Sequence, residues 1–409
     1  MTRFLGLAWL SVVLGACTTA SHPPADAGDA GPDLGTPDGG QPDASAPDSI
    51  APDGDEAPAD GGGVSCDELS HDPVLGTARL GAAYRVVDSA ALPVTSWLPV
   101  ALVDEALAGG GVGLVAYGHA GDGRVHRLGV WPRLAAPDST NVAFDAVSPA
   151  DRTSQVSIMP LLTTTHGQLL AGYRTIRAGA FVGGGVSIFD TARPGAGTRW
   201  LAAPRLEGAL GLGSYFLVGA AGLGDAAGGL GVYGVYLDEA TLHPTLVATY
   251  PELNDETVHP GLMAASSNGL VVMGHYLDLA SRHSLRLPEP SQISTALSGG
   301  PAMNLAAAAE LTQASDVANI ASFGHGVAVL HTNRVRGVLP ALGRLDHYAL
   351  SRPGGDAGTT VGAPVSVLSA SDDGACTIVS QLVPVTGGLT VVVGLWDRNG
   401  QRLVRLAPR

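Results

Sequence analysis

From Gly113 to Gly394 the chain keeps returning to one pattern, a short run of apolar residues entered and left through small or polar positions. Gly113-Leu-Val-Ala-Tyr-Gly-His119 and Gly269-Leu-Val-Val-Met-Gly-His275 match almost residue for residue. Gly326-Val-Ala-Val-Leu-His331 and Gly388-Leu-Thr-Val-Val-Val-Gly394 follow the same scheme, with Gln168–Arg174 and Tyr215–Gly219 as weaker copies. The runs begin near residues 113, 168, 214, 268, 325 and 387, so the period is 50 to 60 residues. Runs this short, bounded by Gly, Pro, Asn and Asp and lacking a 3.6-residue stripe, predict strands. Leu305–Leu311 (Leu-Ala-Ala-Ala-Ala-Glu-Leu) is the one stretch that reads as a short helix.

Each run has similar neighbours. A first strand precedes it, as in Gln155–Leu162, His259–Ser266, Val317–Phe323 and Cys376–Val383. A turn and a third strand follow, as in Arg124–Trp131, Val232–Leu237 and Arg402–Leu406. A more polar fourth strand is found at Asn141–Val147, Thr245–Tyr250 and Val361–Leu368. Four antiparallel strands repeated six times resemble a β-propeller, in the broad company of kelch- and WD-type repeats, although neither signature recurs. The expected fold is therefore all-β: a six-bladed propeller over residues 66–409, with seven blades as the alternative count. A sandwich pair or a β-helix would compete, whereas 5% aromatics are too few for the girdles of an outer-membrane barrel. The last unit stops short of a fourth strand, and the stretch Thr77–Val87 is available to supply it.

The amino terminus follows different rules. Arg3 and an apolar run from Phe4 to Ala16 form a segment too short to span a membrane, and it reads as a signal peptide over residues 1–16. Leu14-Gly15-Ala16-Cys17 resembles the lipobox of bacterial lipoproteins. That resemblance implies lipidation at Cys17 and a membrane anchor in the cell envelope. Thr18 after the cysteine implies the outer membrane, by similarity to enteric lipoproteins. Residues 17–65 repeat Pro-Asp and Asp-Ala-Gly with hardly a large apolar side chain, so they cannot offset their chain entropy and form an acidic, extended tether.

Ten of the 37 carboxylates fall between Asp26 and Asp60, and one of the 22 basic residues, Arg3, precedes them. The net charge of −15 thus becomes 27 acidic against 21 basic residues in the body, about −6. The arginines are scattered, which leaves no basic stripe for nucleic acid. Every basic residue is arginine. Without lysine, P-loop, Schiff-base, pyridoxal-phosphate and protein-kinase chemistries have no amine to work with. Gly229-Leu-Gly231-Val-Tyr-Gly234 spells a dinucleotide fingerprint but overlaps a predicted strand where the fingerprint needs a helix. No Gly-x-Ser-x-Gly, His-Glu-x-x-His or Cys-x-x-Cys motif occurs, and no metal or cofactor is implied.

Cys66 and Cys376 remain as a pair suited to an oxidising compartment, and ring closure would bring them together in a disulfide. His119, His275 and His331 each end the second strand of a unit, and Arg174 holds the comparable place in another. Equivalent strand ends of a propeller share a face, so these four side chains are candidates to face a ligand. The alternative is that each is a polar residue bonded locally as the chain enters a loop. The function expected is an envelope lipoprotein whose propeller binds a protein or glycan without catalysis. A hydrolase or lyase acting on extracellular polymer, with its site in the central funnel, is the alternative.

Overall fold

The computed structural model is a six-bladed β-propeller. It describes residues 66, 69 and 71–409, except 94–98, 121, 152–156, 178–179, 225, 238–241, 251–257, 278–281, 315–316, 334–340, 354–357, 370–375 and 398–399. The expected signal peptide, the expected lipidation site at Cys17 and the expected tether lie outside the described residues.

Two strands, β1 (Arg79–Leu80) and β2 (Tyr84–Leu92), precede the first blade. Blade 1 is β3 (Val100–Ala106), β4 (Val112–His119), β5 (Arg124–Val130) and β6 (Val142–Asp145). Blade 2 is β7 (Ser157–Thr165), β8 (Gln168–Arg177), β9 (Ala180–Asp190) and β10 (Arg199–Ala202). Blade 3 is β11 (Leu206–Leu212), β12 (Tyr215–Leu223), β13 (Ala226–Tyr236) and β14 (Pro244–Thr249). Blade 4 contains β15 (Val258–Ala265), β16 (Val271–Leu277) and β17 (Arg282–Leu287). The chain then leaves blade 4 through helix α1 (Pro290–Leu297) and β18 (Met303–Asn304), which lies parallel to β14, before returning as β19 (Ala309–Ala314). Blade 5 is β20 (Val317–Phe323), β21 (Gly326–Asn333), β22 (Ala341–Ser351) and, after the short β23 (Thr360–Val361), β24 (Val365–Ser369). Blade 6 is β25 (Ile378–Val383), β26 (Val391–Asp397) and β27 (Gly400–Pro408), completed by β2.

Within every blade the four strands are antiparallel, and they follow chain order outward except in blade 6, whose outer strand is β2. The first strands touch in a closed cycle, β3 to β7, β11, β15, β20, β25 and back to β3, which places them around the axis. The starts of these inner strands and the turns between second and third strands form one face, here the upper face. The turns between first and second strands form the lower face.

The apolar runs are continuous because each strand is buried on both sides. In β26, Val391, Val393 and Leu395 enter the core between blades 5 and 6, while Val392 enters the core between blades 6 and 1. In β21, Ala328 and Leu330 serve one seam and Val327 and Val329 the other. The core is thus divided into six clusters, one per seam. Glycine is required where inner strands approach most closely: a Cβ on Gly208 would lie 2.2 Å from the Gly261 carbonyl oxygen of blade 4.

Closure is by an amino-terminal strand, as the sequence pattern expects, but with shifted bounds. The closing strand is β2, pairing from Tyr84 with Pro408 to Leu92 with Gln401. The preceding residues descend the edge of blade 5 instead, where Arg79 and Leu80 pair with Ser369 and Leu368. Gly81 makes the turn between these two tasks; a Cβ there would meet the Ser366 carbonyl oxygen at 2.1 Å. At the upper face the pairing of Cys66 with Cys376 is realised, with Cα atoms 5.4 Å apart. At the lower face, the connection from β25 to β26 runs across the ring. Leu102 of blade 1 donates its N–H to the Pro384 carbonyl at 3.0 Å, and Gly324 of blade 5 donates to the Gly388 carbonyl at 2.8 Å.

The helix expected at Leu305–Leu311 is not formed. Leu305–Ala307 is a single 3-10 turn, and the residues after it become β19, because pairing with β17 satisfies their backbone and completes blade 4. The helix lies at α1 instead, entered through Pro290 at its first turn and buried along Ile293, Ala296 and Leu297. The glycine fingerprint at Gly229–Gly234 lies wholly inside β13, as its strand reading requires.

Candidate functional site

Of the four candidates expected at strand ends, only His119 ends its strand; Arg174, His275 and His331 lie two or three residues inside theirs because pairing continues past them, and three of the four have described side chains. His275 sits in β16, paired with Ser284; its side chain lies outside the described residues.

His119 closes β4 and is fully buried. Neither ring nitrogen makes a hydrogen bond of good geometry. Burial therefore pushes the imidazole pKa down to about 4, with His126 adding to the depression and the Leu161 backbone and Asp122 opposing it. Leu161 belongs to the inner strand of blade 2, so His119 is a neutral side chain packed at the seam between blades 1 and 2. Its neighbour His126 is also buried, but satisfied: Nδ1 lies 2.9 Å from Asn141 Oδ1 and Nε2 lies 3.2 Å from Asp122 Oδ2.

Arg174 leans the same way, from β8 onto the inner strand of blade 3. Its Nε donates to the Leu206 carbonyl, and Nη2 donates to Glu207 Oε2 at 2.8 Å. Arg205 holds the other oxygen, donating from Nε to Glu207 Oε1 at 2.7 Å. The Glu207 side chain is only 6% exposed, against 21% for Arg174 and 26% for Arg205. A carboxylate is thus clamped by two guanidinium groups at the start of an inner strand, at the upper end of the ring axis. Planar guanidinium groups hold such a pair in a defined orientation.

His331 lies two residues before the end of β21, buried in blade 5, with Nε2 3.6 Å from Asp346 Oδ2. Arg344 donates to the same oxygen at 2.7 Å. This group lies in the seam between blades 4 and 5. The three residues are therefore used at three different seams, and a sequence repeat need not make its side chains converge.

The sequence pattern missed the carboxylates that these residues meet. Glu207 belongs to β11, whose alternation is blunted by Gly208 and Gly211, so the first strand of blade 3 was not assigned. Arg205-x-Glu207 was a local signal, but Arg174, its second partner, is a blade away. Two buried tyrosines also meet carboxylates: the Tyr117 hydroxyl donates to Glu105, and the Tyr173 hydroxyl donates to Asp151. In both, burial first and the carboxylate second raise the phenol pKa well above its usual value. Among the described residues no cluster of three His, Cys, Asp or Glu side chains could hold a metal ion.

No family model and no curated sequence matches the chain. Among solved structures it is similar to a luciferin-regenerating enzyme, at 13% identity and a TM-score of 0.36 over 59% of this chain and 72% of that one. It is also similar to a fucose-specific lectin from Aleuria aurantia, at 10% identity and a TM-score of 0.36 over 75% of this chain and 95% of that one. An exo-beta-1,3-galactanase from Phanerochaete chrysosporium, solved with galactose, matches at 7% identity and a TM-score of 0.34 over 80% of this chain and 64% of that one. Likenesses this distant leave the chemistry of the site to be argued from its own residues.

Proposed function

We infer that this chain is an exported binding module, anchored in the cell envelope through Cys17 and holding its propeller away from the outer membrane on the acidic tether. Its ligand is a glycan, taken at the upper end of the ring beside Glu207. The observation that carries this reading is the Arg174–Glu207–Arg205 clamp. Binding sites for small polar ligands rely on a few fixed polar groups, and a carboxylate held between two arginines is fixed before the ligand arrives. Sugar hydroxyls suit such an array because they donate to carboxylates and accept from guanidinium N–H groups. Both Glu207 oxygens are engaged by arginine, which favours orienting a ligand over the repeated proton transfer that a hydrolase or lyase would need. Export accords with the Cys66–Cys376 disulfide.

The test is a glycan array followed by calorimetry on the full chain. Binding to at least one glycan class is expected, with affinity falling about tenfold or more in Arg174→Gln, as befits a lost charge-assisted hydrogen bond. A blank array, or binding indifferent to both Arg174→Gln and Arg205→Gln, would overturn the reading.

A further inference from the structure

The closure seam carries a further, half-buried imidazole, on the lower side of the ring. His347 of β22 packs its ring 4.8 Å from that of Phe323, the last residue of the blade 5 inner strand. Tyr84, the first residue of the closing strand β2, stands edge-on to it with ring centroids 6.2 Å apart. Its hydroxyl and His347 Nδ1 lie 3.2 Å apart, in hydrogen-bonding contact. His347 Nε2 is buried and has no hydrogen-bond partner of good geometry. One histidine side chain thus joins the inner and third strands of blade 5 and the strand that shuts the ring.

We propose that His347 is a pH-sensitive latch on ring closure: neutral, it accepts from Tyr84 and holds β2 against blade 5, and when protonated it loosens that seam.

The groups facing it make protonation costly. From β20 comes the Phe323 ring and backbone, and from β21 come Gly326 and Ala328, none of them charged. Across β24 the register partner is Val365, with Ser366 next to it. From the turn after β20, His325 is engaged with Ser267 at 3.1 Å. From the closing side, Arg409 donates to the Tyr84 carbonyl at 2.9 Å, adding positive charge, and Arg85 is exposed. The adjacent carboxylate, Asp346, pairs in register with Val329 and is held by Arg344 at 2.7 Å; its charge reaches the Tyr84 hydroxyl but it makes no hydrogen bond to the His347 ring. A charged imidazole here would therefore sit beside two aromatic rings with its new proton facing no carboxylate. Burial accordingly lowers the His347 pKa, with the Phe323 backbone opposing in part. The sign follows: the open seam takes up a proton near the ordinary histidine pKa before the closed one does, so closure is intact above about pH 6.5 and weakens below it.

Amide hydrogen exchange, corrected for its intrinsic pH dependence, reads this directly. It is measured on the full chain carrying His119→Gln, so that His119, whose pKa burial also lowers, does not contribute. Between about pH 7.5 and about pH 5.5, the opening of β2 and β27 should rise up to about tenfold, while blades 3 and 4 stay unchanged. His347→Phe keeps a ring against Phe323 and should abolish the acid response; His347→Gln should do the same and serves if the Phe variant does not fold. Tyr84→Phe should weaken protection at both pH values and keep the acid response. A parent that does not respond, a response spread evenly around the ring, or one that survives in both His347 variants would overturn the latch.

Discussion

Thr77 and Thr377, 300 residues apart in sequence, share a buried pair of hydrogen bonds: the Thr77 N–H donates to Thr377 Oγ1 at 2.9 Å, and its hydroxyl donates to the same oxygen at 3.1 Å. The contact pins the incoming amino-terminal segment to the start of blade 6. Arg402 reinforces it, donating to the Val74 carbonyl and, at 2.7 Å, to Asp397. Replacing Thr377 by valine keeps the shape and removes the acceptor of both hydrogen bonds. A loss of about 1–3 kcal/mol is expected in urea unfolding, with the m-value unchanged.

The disulfide acts on the same segment from the neighbouring position. Cys376→Ser should cost roughly 2–5 kcal/mol, since the cross-link closes a very long loop and constrains the unfolded chain. Loss should appear first as faster exchange in β2 and β27, the two strands that only closure brings together. In full-length Cys17→Ser protein, denatured without reductant, thiol labelling should find neither Cys66 nor Cys376 reactive.

His119 predicts an acid dependence of global stability. Its folded pKa, near 4, lies below the ordinary histidine value, so the unfolded chain binds the proton first. Stability from this site is intact above about pH 6.5 and is lost as pH falls toward 4, by on the order of 3 kcal/mol in total. His119→Gln should flatten the curve of unfolding free energy against pH in that window; an unchanged slope would mean that the ring is solvated.

Anchoring is tested apart from the propeller. Cys17→Ser should move the protein from the detergent-dependent membrane fraction to the soluble fraction. Sucrose-gradient separation should place the native chain with outer membranes, and detection only with inner membranes would refute the sorting inferred from Thr18.

Much of the architecture was legible because the repeat is written in the second strands, where both faces are buried and the apolar runs are unbroken. Five of the six expected runs begin within about three residues of the observed β4, β8, β12, β16 and β21. The inner strand of blade 3 was hidden by the feature that makes it fit. Gly208 and Gly211 break its alternation because side chains there would strike the Gly261 and Thr164 carbonyls. Leu305–Leu311 misled because alanine favours helix locally, while the open edge of β17 offered its backbone a full set of partners. The site was least legible of all. Arg174 could be placed at a strand end from sequence, but Glu207 lies 33 residues on in the next blade, and only the ring sets the two side by side.

The pairing of β2 with β27 also orders events in time. A strand near the amino end emerges early, and the strand it must pair with follows some 300 residues later. Until then blade 6 has no outer strand, β2 has no sheet, and each offers an unpaired edge to whatever strand it meets. Blades 1 to 4 contain only nearby segments and are free to assemble as they emerge. The final step therefore falls to the most distant pairing in the molecule, the kind that loop entropy makes slow. A chain delivered across a membrane amino end first would spend that interval with its closing strand exposed, so production of this protein should be limited by how well the waiting edge is kept from other partners.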